Sequence, residues 1–225
     1  MKHYLAIVVA ALVSIGASVS EATTPRDAKR VVAQWSHDGL ERVAVAGLDL
    51  VYMRPGATLG AYRKVLLRPV NVAFRKDWEK QPRPGSRIRG RDQQQIKEEL
   101  AAIIRDEAAR ELERGGYALV DGVAEDVLQV DLSIVDLYVN APDLSSASRV
   151  DSYTVSAGEM TLQAELRDST SGELLARALD RQVDPDDFQL RLTTRIDNEL
   201  AARRIVQSWA QILRNQLDAA RRARP

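Results

Sequence analysis

Few residues in this chain could carry catalysis. His37 is the only histidine after His3, so a Ser-His-Asp arrangement would have to use it. It sits in Gln34-Trp35-Ser36-His37-Asp38-Gly39, a polar, turn-like stretch in which a surface or turn-capping histidine needs no catalytic role. Cysteine is absent, and with one histidine left, Cys–His zinc sites and multi-histidine metal sites cannot be built within one chain. Carboxylate chemistry remains, because general acid–base hydrolysis needs only two carboxyl groups across a cleft. Asp131, Asp136, Glu159 and Glu165 fall in segments expected to pair as strands, so some could converge. The alternative is that they form the polar side of a half-solvated sheet. Asp184, Asp186 and Asp187 offer oxygen ligands for calcium, but without EF-hand spacing, and Asp184-Pro185-Asp186-Asp187 also reads as a turn. No glycine-rich phosphate loop, nucleotide fingerprint or internal repeat occurs. No catalytic residue, metal site or cofactor is expected.

The amino terminus sets the expected address. Lys2 and His3 precede an apolar run, Tyr4–Ala17, and Ser20-Glu21-Ala22 supplies small residues for cleavage. That is the layout of a secretory signal peptide over residues 1–22, and the run is shorter than the roughly 20 residues of a membrane-spanning helix. Residues 23–225 then make one domain, with a flexible lead-in over about 23–34 and a basic tail over 221–225. The protein is expected to be exported, to the periplasm or beyond, with no later transmembrane segment. Without cysteine it has no lipid anchor and no disulfides. Lys and Arg together number 32, as do Asp and Glu, so there is no basic field to attract nucleic acid. Arginine outnumbers lysine 26 to 6, which lowers the weight of any single arginine cluster.

The elements that must position these residues read as follows. Leu50-Val51-Tyr52 is extended, Pro55-Gly56 turns, and Lys64–Leu67 is a strand ended by Pro69. Val70–Arg91 has no clean periodicity and reads as a loop. Asp92 is the expected N-cap of a helix, with Gln95 completing a capping box. Ile96, Leu100, Ile103, Ile104 and Leu112 make its apolar stripe, and Gly115-Gly116 stops it. A strand at Tyr117–Val120 would complete a parallel crossover with Lys64–Leu67. Val127–Asn140 and Ser152–Arg167 form a long hairpin, and Asp168–Gly172 turns into a third strand, Glu173–Val183. A last helix runs from Thr193 or Thr194 to about Ala220. Its stripe is Ala202, Val206, Trp209, Leu213, Leu217 and Ala220, and the basic tail suits its C-terminal dipole. The expected fold is α+β in two layers: a mixed, mostly antiparallel sheet of about four to five strands with two amphipathic helices packed on it.

One pattern in the hairpin is more specific. Leu128, Val130, Leu132 and Ile134 share one parity, whereas Val135, Leu137 and Val139 share the other. Tyr153, Val155 and Ala157 are likewise out of phase with Met160, Leu162, Ala164 and Leu166. Pairing Val139 with Tyr153 puts Ile134 opposite Gly158, so both strands switch face at one level, which needs a bulge or a sharp coil, or else buries the opposite face. The distal half would then turn its apolar residues onto the protein's own N-terminal segment or onto a partner. Candidate partner-binding residues are Val135, Leu137, Val139, Asn140, Asp143, Tyr153 and Val155, although Asn140 and Asp143 also suit a turn. In the Val70–Arg91 loop, Arg75, Lys76, Arg83, Arg87 and Arg89 form a candidate anion-binding set; the alternative is a solvated loop enriched in arginine by composition.

Trp35…Asp38-Gly39-Leu40, Val51-Tyr52…Pro55-Gly56-Ala57, Val72–Trp78, Leu137-Tyr138-Val139-Asn140-Ala141-Pro142-Asp143 and Gly158-Glu159 resemble the domain-of-unknown-function family 3313 of bacterial exported proteins and lipoproteins. The resemblance runs from about Trp35 to Leu217. It implies a cell-envelope location and carries no activity to any residue. Many such proteins look lipid-anchored through a cysteine, which this chain lacks. The leading expectation is a non-catalytic periplasmic binding or scaffold domain whose partner is another envelope protein or a cell-wall component. A carboxylate-only hydrolase and a carrier of an apolar small molecule are the alternatives. A hydrolase requires facing acidic groups with perturbed protonation, a binding module an exposed apolar patch on the distal ribbon, and a carrier an enclosed apolar cavity.

Overall fold

A computed structural model describes residues 38–75, 90–139, 157–183 and 195–223. These residues contain eight strands: β1 (Glu41–Val43), β2 (Leu50–Met53), β3 (Lys64–Leu67), β4 (Asn71–Phe74), β5 (Ala118–Leu119), β6 (Val127–Val139), β7 (Ala157–Asp168) and β8 (Leu174–Val183). Two long helices, α1 (Gly90–Arg114) and α2 (Arg195–Arg222), and a 3₁₀ turn at Leu59–Ala61 accompany them. The strands make one mixed sheet in the order β1-β2-β8-β7-β6-β3-β5, with β4 pairing separately along β6.

The α+β class and the two helices agree with the sequence reading, but the sheet has eight strands rather than four to five. The omissions are physical in origin. β1 is three residues long and β4 four, too short to show a period of two. β4 lies inside the stretch read as a loop and is held as a strand by parallel pairing of Asn71 and Val72 with Ser133 and Ile134. The expected crossover is present: β3 and β5 pair in parallel, Lys64 with Ala118 and Val65 with Leu119.

α1 begins at Gly90, so Asp92 lies within its first turn rather than at its cap. Gln95 donates to Glu99 one turn on at 2.8 Å and does not complete a capping box. The apolar stripe holds, with Ile96, Leu100, Ile103, Ile104 and Leu112 all buried. Gly116, at φ +75°, supplies the left-handed residue that closes the helix, and the Tyr117 amide donates back to the Leu112 carbonyl at 3.1 Å. Where α1 meets α2, the buried carboxylates of Glu107 and Glu111 receive Arg203 at 3.4 Å and Arg214 at 3.1 Å from the facing helix. These pairs set the register of one helix on the other. At its C-terminal end α2 is clasped by the 3₁₀ turn. A Cβ on Gly60 would come within 2.4 Å of the Ala220 carbonyl oxygen, so only glycine permits that approach.

The paired phase change in the hairpin is a pair of β-bulges. Ile134 pairs with Leu162 and Tyr138 with Glu159, which leaves one extra residue in β6; Val139 then pairs with Ala157, which leaves Gly158 extra in β7. The register differs from the one read from sequence by four residues, since Val139 faces Ala157 rather than Tyr153 and Ile134 faces Leu162 rather than Gly158. The consequence differs too. The β6 bulge turns Leu137 back into the core beside Val72 and Ile134, with no exposed surface.

Candidate functional site

Because β-strand side chains alternate, two adjacent rows across the sheet belong to opposite faces. On the side of α1 and α2, one row runs Leu132, Ala164, Ala178 and Val51 across β6, β7, β8 and β2. The next row on that face runs Val130, Leu166, Ala176 and Met53. Alanine is a poor strand former, yet three stand together in the middle of the sheet. A bulge places them: Leu166 pairs with Ala176 and Arg167 with Leu174, so the extra Leu175 turns inward together with Ala176. The three alanines form a depression bordered by Leu132, Leu162, Leu166, Val51 and Met53.

Above it α2 stands off the sheet, and a cavity of about 420 Å³ lies between them. Its roof is Val206, Trp209, Ala210 and Leu213 of α2 with Ile104 and Ala108 of α1, and the β1–β2 loop adds Val45 and Leu48 at one side. Ala164, Ala178 and Leu213 retain partial exposure although they sit among core elements, so the space is not filled by neighbouring side chains. Gly47, at φ +84°, lets that loop lie against α2, where a Cβ would approach Ile212 Cδ1 to 2.9 Å. The lining is hydrocarbon almost throughout. Its polar residues are Gln216 and Arg177, and the Arg177 guanidinium is bound to Asp38 at 2.7 Å and to Glu165 at 2.8 Å.

One polar group fixes the indole in the cavity wall. Asp180 is 2% exposed and accepts from Trp209 Nε1 at 2.7 Å, from Gln182 Nε2 at 2.7 Å and from the Asp49 amide at 3.0 Å. Burial raises its carboxyl above the ordinary aspartate range despite those three donors.

The opposite face is charged. Its row next to the alanines is Asp131, Glu165, Arg177 and Tyr52. Glu165 accepts from Arg167 at 2.6 Å and Arg177 at 2.8 Å, and Glu159 from Arg181 at 2.7 Å and Arg75 at 3.3 Å. Burial pushes the Glu159 carboxyl up, but Arg181 and then Arg75 outweigh it and hold the group below its ordinary range. Leu40, Tyr52, Leu174 and Leu179 make a small separate apolar cluster on this side. Of the carboxylates singled out for hydrolysis, Asp131 and Glu165 are cross-strand neighbours, and Glu159, six residues along β7 from Glu165, stands apart; Glu159 and Glu165 are each held in arginine ion pairs. Neither faces the cavity.

Of the candidate partner-binding set, only Val135 and Leu137 have described side chains. Leu137 is buried in the core, which corrects its assignment as a partner contact. Val135 is half-buried. The side chains of Val139, Asn140, Asp143, Tyr153 and Val155 lie outside the described residues. Of the anion-binding set only Arg75 is described, and it is paired with Glu159; Lys76, Arg83, Arg87 and Arg89 lie outside, as do His37, the Asp184–Asp187 segment and residues 1–22. Sequence reasoning missed the cavity residues altogether. Ala164 was read as one apolar position of an alternating strand, and the only available signal was the cluster of alanines in Ala176 and Ala178, one strand after Ala164.

The chain belongs to the family described as protein of unknown function DUF3313, whose sequence model matches residues 28–213. No curated protein matches the sequence. Among solved structures it is similar to the PelC dodecamer from Paraburkholderia phytofirmans, at 11% identity and TM-score 0.40, over 73% of this chain and 96% of that one. A DUF330 protein from Xanthomonas campestris gives 11% identity and TM-score 0.40 over 73% and 91%. A minor lipoprotein from Acinetobacter baumannii gives 12% and 0.33 over 70% and 94%. Likenesses at these scores carry no argument about function. Among the described residues no helix is long and apolar enough to cross a membrane.

Proposed function

We propose that this protein is an exported, non-catalytic binding domain of the bacterial cell envelope that holds an apolar ligand between its sheet and α2. The export half of this reading rests on Lys2-His3, the apolar run Tyr4–Ala17 and Ser20-Glu21-Ala22. The binding half rests on one observation: a cavity of about 420 Å³ with an almost wholly hydrocarbon lining, within the size range of small-molecule sites. Apolar space of this kind is costly to leave empty, because the lining loses its dispersion partners. Burial of an apolar ligand there recovers that loss and removes the ligand's own surface from water.

The test is titration with Nile red, a neutral dye whose emission shifts to the blue in apolar surroundings. The purified, delipidated protein should bind it. Ala178→Ile and Ala164→Leu, which push methyl groups into the cavity, should abolish binding while leaving circular dichroism unchanged. No blue shift with the parent protein, or an undiminished shift in both folded variants, would remove this reading.

A further inference from the structure

We infer that the ligand is the single unbranched acyl chain of an esterified, uncharged lipid, and not a free fatty acid. This rests on the cavity reading above and deepens it by naming the chemistry of the occupant. Three observations carry it.

The first is charge. A carboxylate drawn into an apolar site needs a cation or several donors to replace its water. Among the described residues lining the cavity the one cationic residue is Arg177, whose side chain belongs to the opposite face of the sheet and is engaged there by Asp38 and Glu165. Asp180, a buried carboxyl beside the cavity wall, has its oxygens occupied by Trp209, Gln182 and the Asp49 amide, so it offers no donor to an anion. The site therefore accepts hydrocarbon and rejects an ionised head.

The second is size. A volume of about 420 Å³ corresponds to about 14 water-sized groups at roughly 30 Å³ each, and a methylene is close to water in size. One chain of about a dozen carbons fits; a diacyl lipid does not.

The third is shape. Small residues pave both walls. Ala164, Ala176 and Ala178 form the floor, while Ala210, Ala219 and Ala220 lie on α2, the last two nearer its C-terminal end. The lining on α2 runs from Val206 to Ala223, about 25 Å of helix at 1.5 Å per residue, an elongated slot suited to an extended chain rather than a fused ring system. The polar residue along that slot, Gln216, lies on the α2 side and can donate to an ester carbonyl.

The experiment is displacement of Nile red by saturated 1-monoacylglycerols of graded chain length, and by the fatty acids of the same lengths, all below their micelle concentrations. At about pH 8 the fatty acids are ionised. Monoacylglycerols are expected to displace the dye with an optimum near a dozen carbons, and each fatty acid of equal length to be weaker by about tenfold or more. Lowering the pH so that the fatty acid protonates should close that gap. Gln216→Leu should weaken the monoacylglycerol by a larger factor than it changes Nile red binding; an equal change in both would remove the ester contact. Fatty acids as potent as monoacylglycerols at about pH 8, or potency that rises without an optimum as the chain lengthens, would overturn the inference while leaving the cavity reading intact. Absence of Nile red binding by the parent protein would overturn both.

Discussion

Two adjacent rows of one sheet show how differently its faces are built. Leu132, Ala164, Ala178 and Val51 look toward the helices; Asp131, Glu165, Arg177 and Tyr52, each one residue away, look the other way. The charged row is saturated, with arginines and carboxylates satisfying one another across neighbouring strands. The apolar row is unsaturated, because alanine is too small to reach the overlying helix. A polar face whose Glu159 and Glu165 carboxylates are held by arginines has little left there with which to bind a ligand. An apolar face with unfilled volume has a standing affinity for hydrocarbon. On the binding reading proposed above, the functional side of this sheet is the one with the less conspicuous residues.

Four measurements sharpen or break that contrast. The largest effect is expected at the bulge. Leu137→Ala should cost about 3 kcal/mol in urea unfolding, as for a fully buried leucine, whereas the half-buried Val135→Ala should cost about 1 kcal/mol or less. Equal costs would mean that the bulge does not divide core from surface at this level. Next, Asp180→Ala should cost about 2 kcal/mol by stranding the Trp209 indole and the Asp49 amide. Combining it with Trp209→Phe should be less than additive; strict additivity would sever the link between Asp180 and the cavity wall. Third, Ala178→Ile should raise stability by about 1 kcal/mol, since it buries methyl groups in space already present. Gln163→Ile on the charged face should stay within about 0.5 kcal/mol. A loss of stability in Ala178→Ile would show that the slot has no room.

The smallest effect separates the faces by sign. The folded-state carboxyl of Glu159 lies below its reference value of 4.5, so its contribution is present above that pH and is lost on acidification through the folded value. The carboxyl of Asp180 lies above its reference value of 3.8, so its contribution is full below 3.8 and is lost as pH rises through the folded value. Glu159→Gln should therefore make the protein less sensitive to acid and Asp180→Asn more sensitive, read as the change in urea midpoint between neutral pH and about pH 4. Shifts of the same sign in both variants would contradict the assignment.

The sequence was legible where periodicity was long. α1 and α2 each show an apolar stripe over several turns, and β6 and β7 alternate over Leu128–Ile134 and Met160–Leu166. The phase change in Leu128–Val139 and Tyr153–Leu166 pointed to a bulge, a sharp coil or burial of the opposite face, and the structure resolves it as paired bulges. The phase change could not predict their outcome, because a shift of register by four residues preserves every parity and so leaves the alternating pattern unchanged. That is why Leu137 read as a partner contact and is instead core. β1 and β4 were illegible because a strand of three or four residues owes its existence to the neighbour it pairs with.

By itself the sequence determined the chemistry that is excluded, through the absence of cysteine and the single histidine beyond His3, and the α+β class, through the period of its apolar residues. Both are properties of residue type and local spacing. The cavity was decided only by tertiary structure. Ala164 and Ala178 are separated by a turn, and Ala210 and Ala220 lie on another layer; nothing local to any of them encodes that they face one another. Whether small residues pack tightly or leave a void depends on how far apart their backbones are held, and here Gly60, the bulge at Leu175 and the Glu107 and Glu111 ion pairs set that distance from outside the site.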